Sequence, residues 1–215
     1  MTPDLVIFDC DGVLVDSEGI TNQLLRDDLA TRGLDMPLDQ IMSLFVGGTM
    51  RAVGIKAAEM GADIPVDWVD GFYKEMYAGL ARGTPLIDGV TDVLDRLDAV
   101  GVPYAVGSNG SLDKMAITLG QHPGVNVRLK DHLYSAHVLG IAKPEPDMFL
   151  KAAVDFGVAP ERCVVVDDSP TGCIAAQRAG MRCLGFAEHD DGSRVAAVGA
   201  EVVHSMAEVA RALGI

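Results

Sequence analysis

Leu5-Val6-Ile7-Phe8-Asp9-Cys10-Asp11-Gly12-Val13-Leu14-Val15 is an apolar run broken by two carboxylates two residues apart and then by glycine. It reads as a buried strand that delivers acids at its tip. In an extended chain residues i and i+2 share a side, so the pattern predicts Asp9 and Asp11 facing one site while Cys10 turns away. Two carboxylates ~5 Å apart repel by roughly 2 to 4 kcal/mol at an effective dielectric of about 20, unless a cation or a proton sits between them. The stretch therefore predicts a metal ion, a proton transfer, or both.

Outward from this run the 215 residues are too many for a small domain and too few for two equal ones, which suits one core carrying an insertion. Residues 17–82 read as helices and carry no convincing buried strand. Ile20, Leu24, Leu25 and Leu29 mark one amphipathic face, Ala52, Ile55, Ala58 and Met60 suggest a second, and Trp68, Val69, Phe72, Met76 and Leu80 follow the 3.6-residue period. The last stripe reads as packing rather than a cofactor site. Gly83-Thr84-Pro85-Leu86-Ile87-Asp88-Gly89 reads as a return linker. Beyond it, a helix face of Val90, Val93, Leu94 and Leu97 precedes short apolar strands at 103–107, 133–136, 163–166 and 182–186, with helices at 146–156 and 171–179. This alternation predicts an α/β chain with a Rossmann-like, doubly wound parallel sheet, residues 1–16 and 83–215 forming the core and 17–82 an inserted α-helical cap.

Composition narrows the function. Seventeen Lys plus Arg against 31 Asp plus Glu give a net charge of −14, a field that repels nucleic acid and anionic lipid surfaces, so neither is an expected partner. A hydrophobic content of 49% excludes a disordered chain. No apolar run approaches the roughly 18 residues of a membrane span, and Met1-Thr2-Pro3-Asp4 lacks the basic start of a secretory signal. A cytoplasmic protein is expected, and nothing in the pattern requires more than a monomer. Cys10, Cys163, Cys173 and Cys183 show no C-x-x-C spacing and read as reduced core thiols.

Four punctuated strand ends carry the chemistry. They are Asp9-x-Asp11, Gly107-Ser108-Asn109-Gly110, Ala142-Lys143-Pro144-Glu145-Pro146 and Val166-Asp167-Asp168-Ser169. In a parallel sheet ligands bind beyond the carboxyl ends of the strands, so the four loops are expected to converge. Small polar side chains and turn N–H groups suit phosphate oxygens, and a lysine in a proline-stiffened loop suits their charge. Asp167-Asp168-Ser169 before Pro170 can also serve as a helix N-cap, but capping needs one of the three and leaves two adjacent carboxylates to explain.

These four motifs, in this order, resemble the haloacid dehalogenase-like hydrolase superfamily over essentially the whole chain. The helical insert between the first two is similar to the cap of its beta-phosphoglucomutase-like and small-metabolite phosphatase branch. The resemblance implies an Mg²⁺-dependent phosphomonoester hydrolase acting on a small phosphorylated metabolite of the sugar phosphate kind. Asp9 would be the nucleophile that forms an aspartyl-phosphate, and Asp11 the general acid and then base. Mg²⁺ would sit among Asp9, the backbone carbonyl of Asp11 and Asp168, with Asp167 in the acidic shell. Ser108 and the N–H of Asn109 would hold phosphoryl oxygens, and Lys143 would offset the charge gathered there.

An aspartate at position 11 favours phosphoryl transfer over dehalogenation, whose catalysts in the family lack it. Phosphomutase activity shares every core residue, but the mutase pattern carries a basic residue before the first glycine of the loop Phe45-Val46-Gly47-Gly48-Thr49-Met50-Arg51, where this chain has Val46. Hydrolysis is therefore expected. Thr49 and Arg51 are the candidate substrate contacts of that loop. A non-catalytic metabolite sensor would have no need of both nucleophile and acid.

Overall fold

The computed structural model describes residues 2–45 and 49–215, and the chain divides into two compact units, Met1–Asp16 with Pro85–Ile215 and Ser17–Thr84. The first unit holds six strands: β1 (Leu5–Phe8), β2 (Tyr104–Ser108), β3 (Leu133–Ser135), β4 (Cys163–Asp167), β5 (Arg182–Phe186) and β6 (Glu201–Val203). They pair in parallel in the order β3-β2-β1-β4-β5-β6. This is the doubly wound, Rossmann-like α/β arrangement that the alternating pattern predicts.

The pleat sorts the core into two layers. Val6 and Phe8 of β1, Val164 and Val166 of β4, and Leu184 and Phe186 of β5 point to one face; Leu5, Ile7, Cys163, Val165 and Cys183 point to the other. Against the first face pack α5 (Val90–Val100), α6 (Leu112–Leu119), α7 (Pro123–Leu129) and α12 (Met206–Leu213). Against the second pack α9 (Asp147–Phe156), α10 (Pro170–Arg178) and α11 (Ser193–Ala196). A four-residue helix, α8 (Ala136–Leu139), follows β3 directly. Strands buried on both faces read as unbroken apolar runs, which is why Leu5–Phe8 and Cys163–Val166 carry no polar alternation.

The opening run departs from a single long strand. Cys10 O accepts the N–H groups of both Leu14 and Val15 at 3.0 Å, and Gly12 takes φ +77°, so the chain folds back on itself after Asp9. Val13, Leu14 and Val15 return to the first core layer, and Val15 bridges Leu86 in antiparallel fashion. Cys10 is buried in that layer too.

The second unit contains α1 (Glu18–Thr31), α2 (Leu38–Phe45), α3 (Met50–Glu59) and α4 (Trp68–Leu80), and no strand among the described residues. Its core is the helical stripe Trp68, Phe72, Met76 and Leu80 packed with Leu25 and Leu29. Trp68 Nε1 donates to Asp28 Oδ2 at 2.6 Å, which satisfies the indole in a buried setting. The expected face of α3 is corrected: Val53, Gly54 and Ala57 are buried while Ile55 is 57% exposed. The Trp68 ring selects that face, since a Cβ on Gly54 would come 2.9 Å from its Cε3. No single helix among the described residues is long and apolar enough to cross a membrane.

Gly185 tests the second core layer. A Cβ there would lie 2.7 Å from Val195 Cγ2 and 3.0 Å from Ala200 Cβ. Gly185→Ala is expected to destabilise the chain by about 1–3 kcal/mol, read as a lowered denaturation midpoint. An unchanged midpoint would contradict the packing of α11 on β5.

Candidate active site

The sheet order places β1 beside β4, where the connections diverge to opposite faces, and the acids stand at that point. Asp9 follows β1 and donates its N–H to Val166 O at 2.8 Å; Asp167 is the last residue of β4. Lys143 arrives from the loop between α8 and α9. Its ammonium donates to Asp9 Oδ1 and, at 2.7 Å, to Asp167 Oδ2, with 3% of the side chain exposed. The Phe149 ring lies beneath it, 5.3 Å from Nζ to the centroid. Burial opposes the charge on Lys143, but the fields of Asp167 and Asp9 outweigh it and raise its pKa. Burial likewise pushes the Asp9 carboxyl up to about 7, with Asp167 and Asp11 adding to the rise and Lys143 opposing it.

Around this pair each loop is braced by another. Asp167 Oδ1 accepts both the N–H and the hydroxyl of Ser169, at 3.0 and 2.7 Å. Ser169 also caps α10 by accepting the Gly172 N–H at 3.0 Å. The carboxyl of Asp167 rests on Gly172, whose hydrogen leaves the space that a Cβ would fill. Asn109 Oδ1 accepts the backbone N–H of Lys143 at 2.9 Å, and Ser108 Oγ accepts the Gly110 N–H at 2.9 Å. Ser135 Oγ, at the end of β3, donates to Gly110 O at 2.6 Å. Asp11 pairs with Lys114 of α6, Nζ to Oδ1 2.7 Å.

Asp9, Asn109, Lys143 and Asp167 are thus joined by direct hydrogen bonds, with Ser108 in the adjoining turn. Asp168 lies against the first loop, since a Cβ on Gly12 would come 2.9 Å from its Cγ. Among the described residues, however, no three Asp, Glu, His or Cys side chains are gathered into a group that could hold a metal ion. Lys143 takes an oxygen of Asp9 and one of Asp167, and Lys114 takes one of Asp11, so protein ammoniums add to the relief of the repulsion that the sequence assigned to a metal or a proton. The donor chemistry at the first loop still fits a hard divalent cation. Gly12 lets the Asp168 carboxylate reach the backbone that follows Asp11, and Asp9 offers a second carboxylate.

Thr49 and Arg51 belong to the helical unit. Thr49 Oγ1 accepts the Ala52 N–H at 3.2 Å and so caps α3, and Arg51 is exposed in its first turn. Val46, Gly47 and Gly48 lie outside the described residues. Two residues of the site escaped sequence reasoning. Lys114 stands five residues past Asn109 and Ser135 ends a weak strand, and in neither case does a local pattern announce the loop that it reaches.

Residues 3–180 match the family model of the haloacid dehalogenase-like hydrolases, and the chain belongs to that family. It is a hydrolase. A conserved haloacid dehalogenase-like protein of Agrobacterium tumefaciens shares its structure with a TM-score of 0.87 at 35% identity, over 98% of this chain and 97% of that one. A HAD family hydrolase of Deinococcus radiodurans, solved with bound phosphate and sodium, gives 0.84 at 34% identity over 99% and 96%. Hexitol phosphatase A of Escherichia coli is 26% identical over 206 residues, 94% of this chain and 91% of the relative. The chain spans 17% of the length of Protein SUPPRESSOR OF QUENCHING 1, chloroplastic, and 62% of a CBBY-like protein, both of Arabidopsis thaliana and both 29% identical over the matched part.

Asp9 supplies a pH test of the geometry. Its carboxyl keeps a proton to about pH 7 in the folded chain against an ordinary 3.8, so the folded state binds more protons between those values and loses stability as the pH rises through them. In chelator, Asp9→Asn removes that loss, and its stability relative to the parent should climb from pH 4 to 7 in denaturant titrations. A difference that stays constant over this range would contradict a carboxyl at which burial outweighs the Lys143 ammonium.

Proposed function

We propose that the chain is an Mg²⁺-dependent phosphomonoester hydrolase that works through an aspartyl-phosphate on Asp9 and acts on a small phosphorylated metabolite of the sugar or polyol phosphate class. The observation that carries this reading is Lys143, whose ammonium joins Asp9 to Asp167 while its backbone N–H joins Asn109. Lys143 thus joins its own motif loop to the other three, as a phosphoryl site requires. The phosphate of the Deinococcus radiodurans relative and the named activity of hexitol phosphatase A support the substrate class.

In the first step an oxygen of Asp9 bonds to phosphorus as the ester P–O bond breaks, and the proton of Asp11 passes to the departing alcohol oxygen. In the second, water adds to phosphorus, Asp11 takes its proton, and the bond to Asp9 breaks to release phosphate. Ser108 Oγ, already an acceptor from Gly110, gives its hydroxyl proton to a phosphoryl oxygen, and the Asn109 N–H adds a second donor. Lys143 balances negative charge at Asp9. Asp9, Asp168 and the Asp11 carbonyl would hold Mg²⁺, which when bound supplies positive charge to the phosphoryl oxygens. Asp167 acts through Lys143 and Ser169. Arg51 is assigned to substrate choice.

Phosphate release from a panel of sugar and polyol phosphates tests this reading. Turnover should require Mg²⁺, vanish in Asp9→Asn, and change its order of preference in Arg51→Ala while p-nitrophenyl phosphate is spared. Conversion of glucose 1-phosphate to glucose 6-phosphate in the presence of a sugar bisphosphate, without phosphate release, would contradict hydrolysis. Turnover that survives in Asp9→Asn would remove the covalent step.

A further inference from the structure

Asp11 has a partner that the proposed chemistry does not use. Lys114 stands in the first turn of α6 with its ammonium 2.7 Å from Asp11 Oδ1, the two side chains 15% and 22% exposed. A cation in the first turn faces the positive end of the helix dipole, which disfavours it, so a carboxylate beside it offsets that cost. Asp11 supplies it. Gly110 packs between them: a Cβ there would come 3.2 Å from Ser108 Oγ and 3.5 Å from both Asp11 Oδ2 and Lys114 Cδ. One oxygen of Asp11 therefore meets the ammonium while the other meets the glycine. The turn that carries Lys114 is fixed in its own right, because Ser111 Oγ accepts the Lys114 N–H at 3.1 Å and Ser135 Oγ holds Gly110 O.

We propose that Lys114 is the positioning residue of Asp11, holding its carboxyl beside the Ser108 turn and apart from the group formed by Asp9, Lys143 and Asp167. This inference rests on the reading of Asp11 as proton donor. Lys114 touches no reacting atom in this account. It holds Oδ1 and so reduces the orientations open to a short acid side chain, so that a proton carried on Oδ2 meets the leaving oxygen as the P–O bond breaks and the carboxylate left behind stays paired. Such restriction matters in proportion to how much the leaving group needs the proton. An alkyl alcohol needs it; p-nitrophenolate departs without it.

The test is kcat/KM, which reports the chain through phosphoryl transfer, measured with Mg²⁺ over alkyl and aryl phosphates graded by the acidity of the leaving alcohol. Lys114→Met should lose on the order of a hundredfold on alkyl phosphates and progressively less as the leaving group improves, with inhibition by inorganic phosphate unchanged. Lys114→Arg should recover most of the loss, and Lys114→Met should add little in an Asp11→Asn background. Equal losses on all substrates, or weakened phosphate inhibition, would overturn the inference and make Lys114 a structural or phosphate-binding group. Where Lys114→Met fails to fold, Lys114→Gln carries the same comparison. Asp11→Asn on the same series separates the two readings: if it shows no dependence on the leaving group, Asp11 is not the donor and the inference falls with it. If Asp11→Asn shows the dependence and neither Lys114→Met nor Lys114→Gln does, the inference alone fails.

Discussion

The Lys143 ammonium sits between the carboxylates of Asp9 and Asp167 and over the ring of Phe149, and the organisation of the loops around the switch point depends on that contact. Removing one partner from a buried ion pair leaves an uncompensated charge and costs roughly 3–5 kcal/mol, so the three side chains constrain one another. Charge counting shows what these loops still need before they could take an anion. Asp9, Asp11, Asp167 and Asp168 bring four carboxylates to these loops, and Lys143 and Lys114 pair with three of them. A bound divalent cation, turn N–H groups and the hydroxyl of Ser108 are what a dianionic substrate needs in addition.

The sheet makes this convergence possible. Six parallel strands with helices on both faces bring the ends of β1, β2 and β4 to one edge, and the order β2-β1-β4 puts the end of β1 between the other two. Glycines allow the close approaches. Gly12 admits the Asp168 carboxylate, Gly172 admits that of Asp167, and Gly107, whose added Cβ would meet Phe149 at 3.0 Å, admits the ring beneath Lys143. Fold and site are therefore coupled through backbone contacts that a methyl group would disturb.

Much of this was legible in the sequence because each strand that feeds the site is a short apolar run ending in polar residues. The strand at 182–186 was readable as a short apolar run and the Trp68 stripe from its period. Long-range partners were not. β6 is a three-residue edge strand whose identity comes from pairing with β5, and the partnerships of Lys114 with Asp11 and Ser135 with Gly110 span the fold rather than a motif. The same limit explains the opening run. Periodicity marked Leu5 to Val15 as apolar, but the turn at Cys10 that ends the strand is made by backbone hydrogen bonds that leave no mark on the apolar pattern.

The account stands most directly on the bond between Asp9 and phosphorus. Enzyme mixed with a sugar phosphate and Mg²⁺, quenched during turnover and treated with borohydride, would have any aspartyl-phosphate reduced to homoserine, which peptide mass spectrometry locates. The account predicts homoserine at position 9 that depends on substrate. Unmodified Asp9 in an enzyme that is turning over, or reduction at another acid, would contradict it.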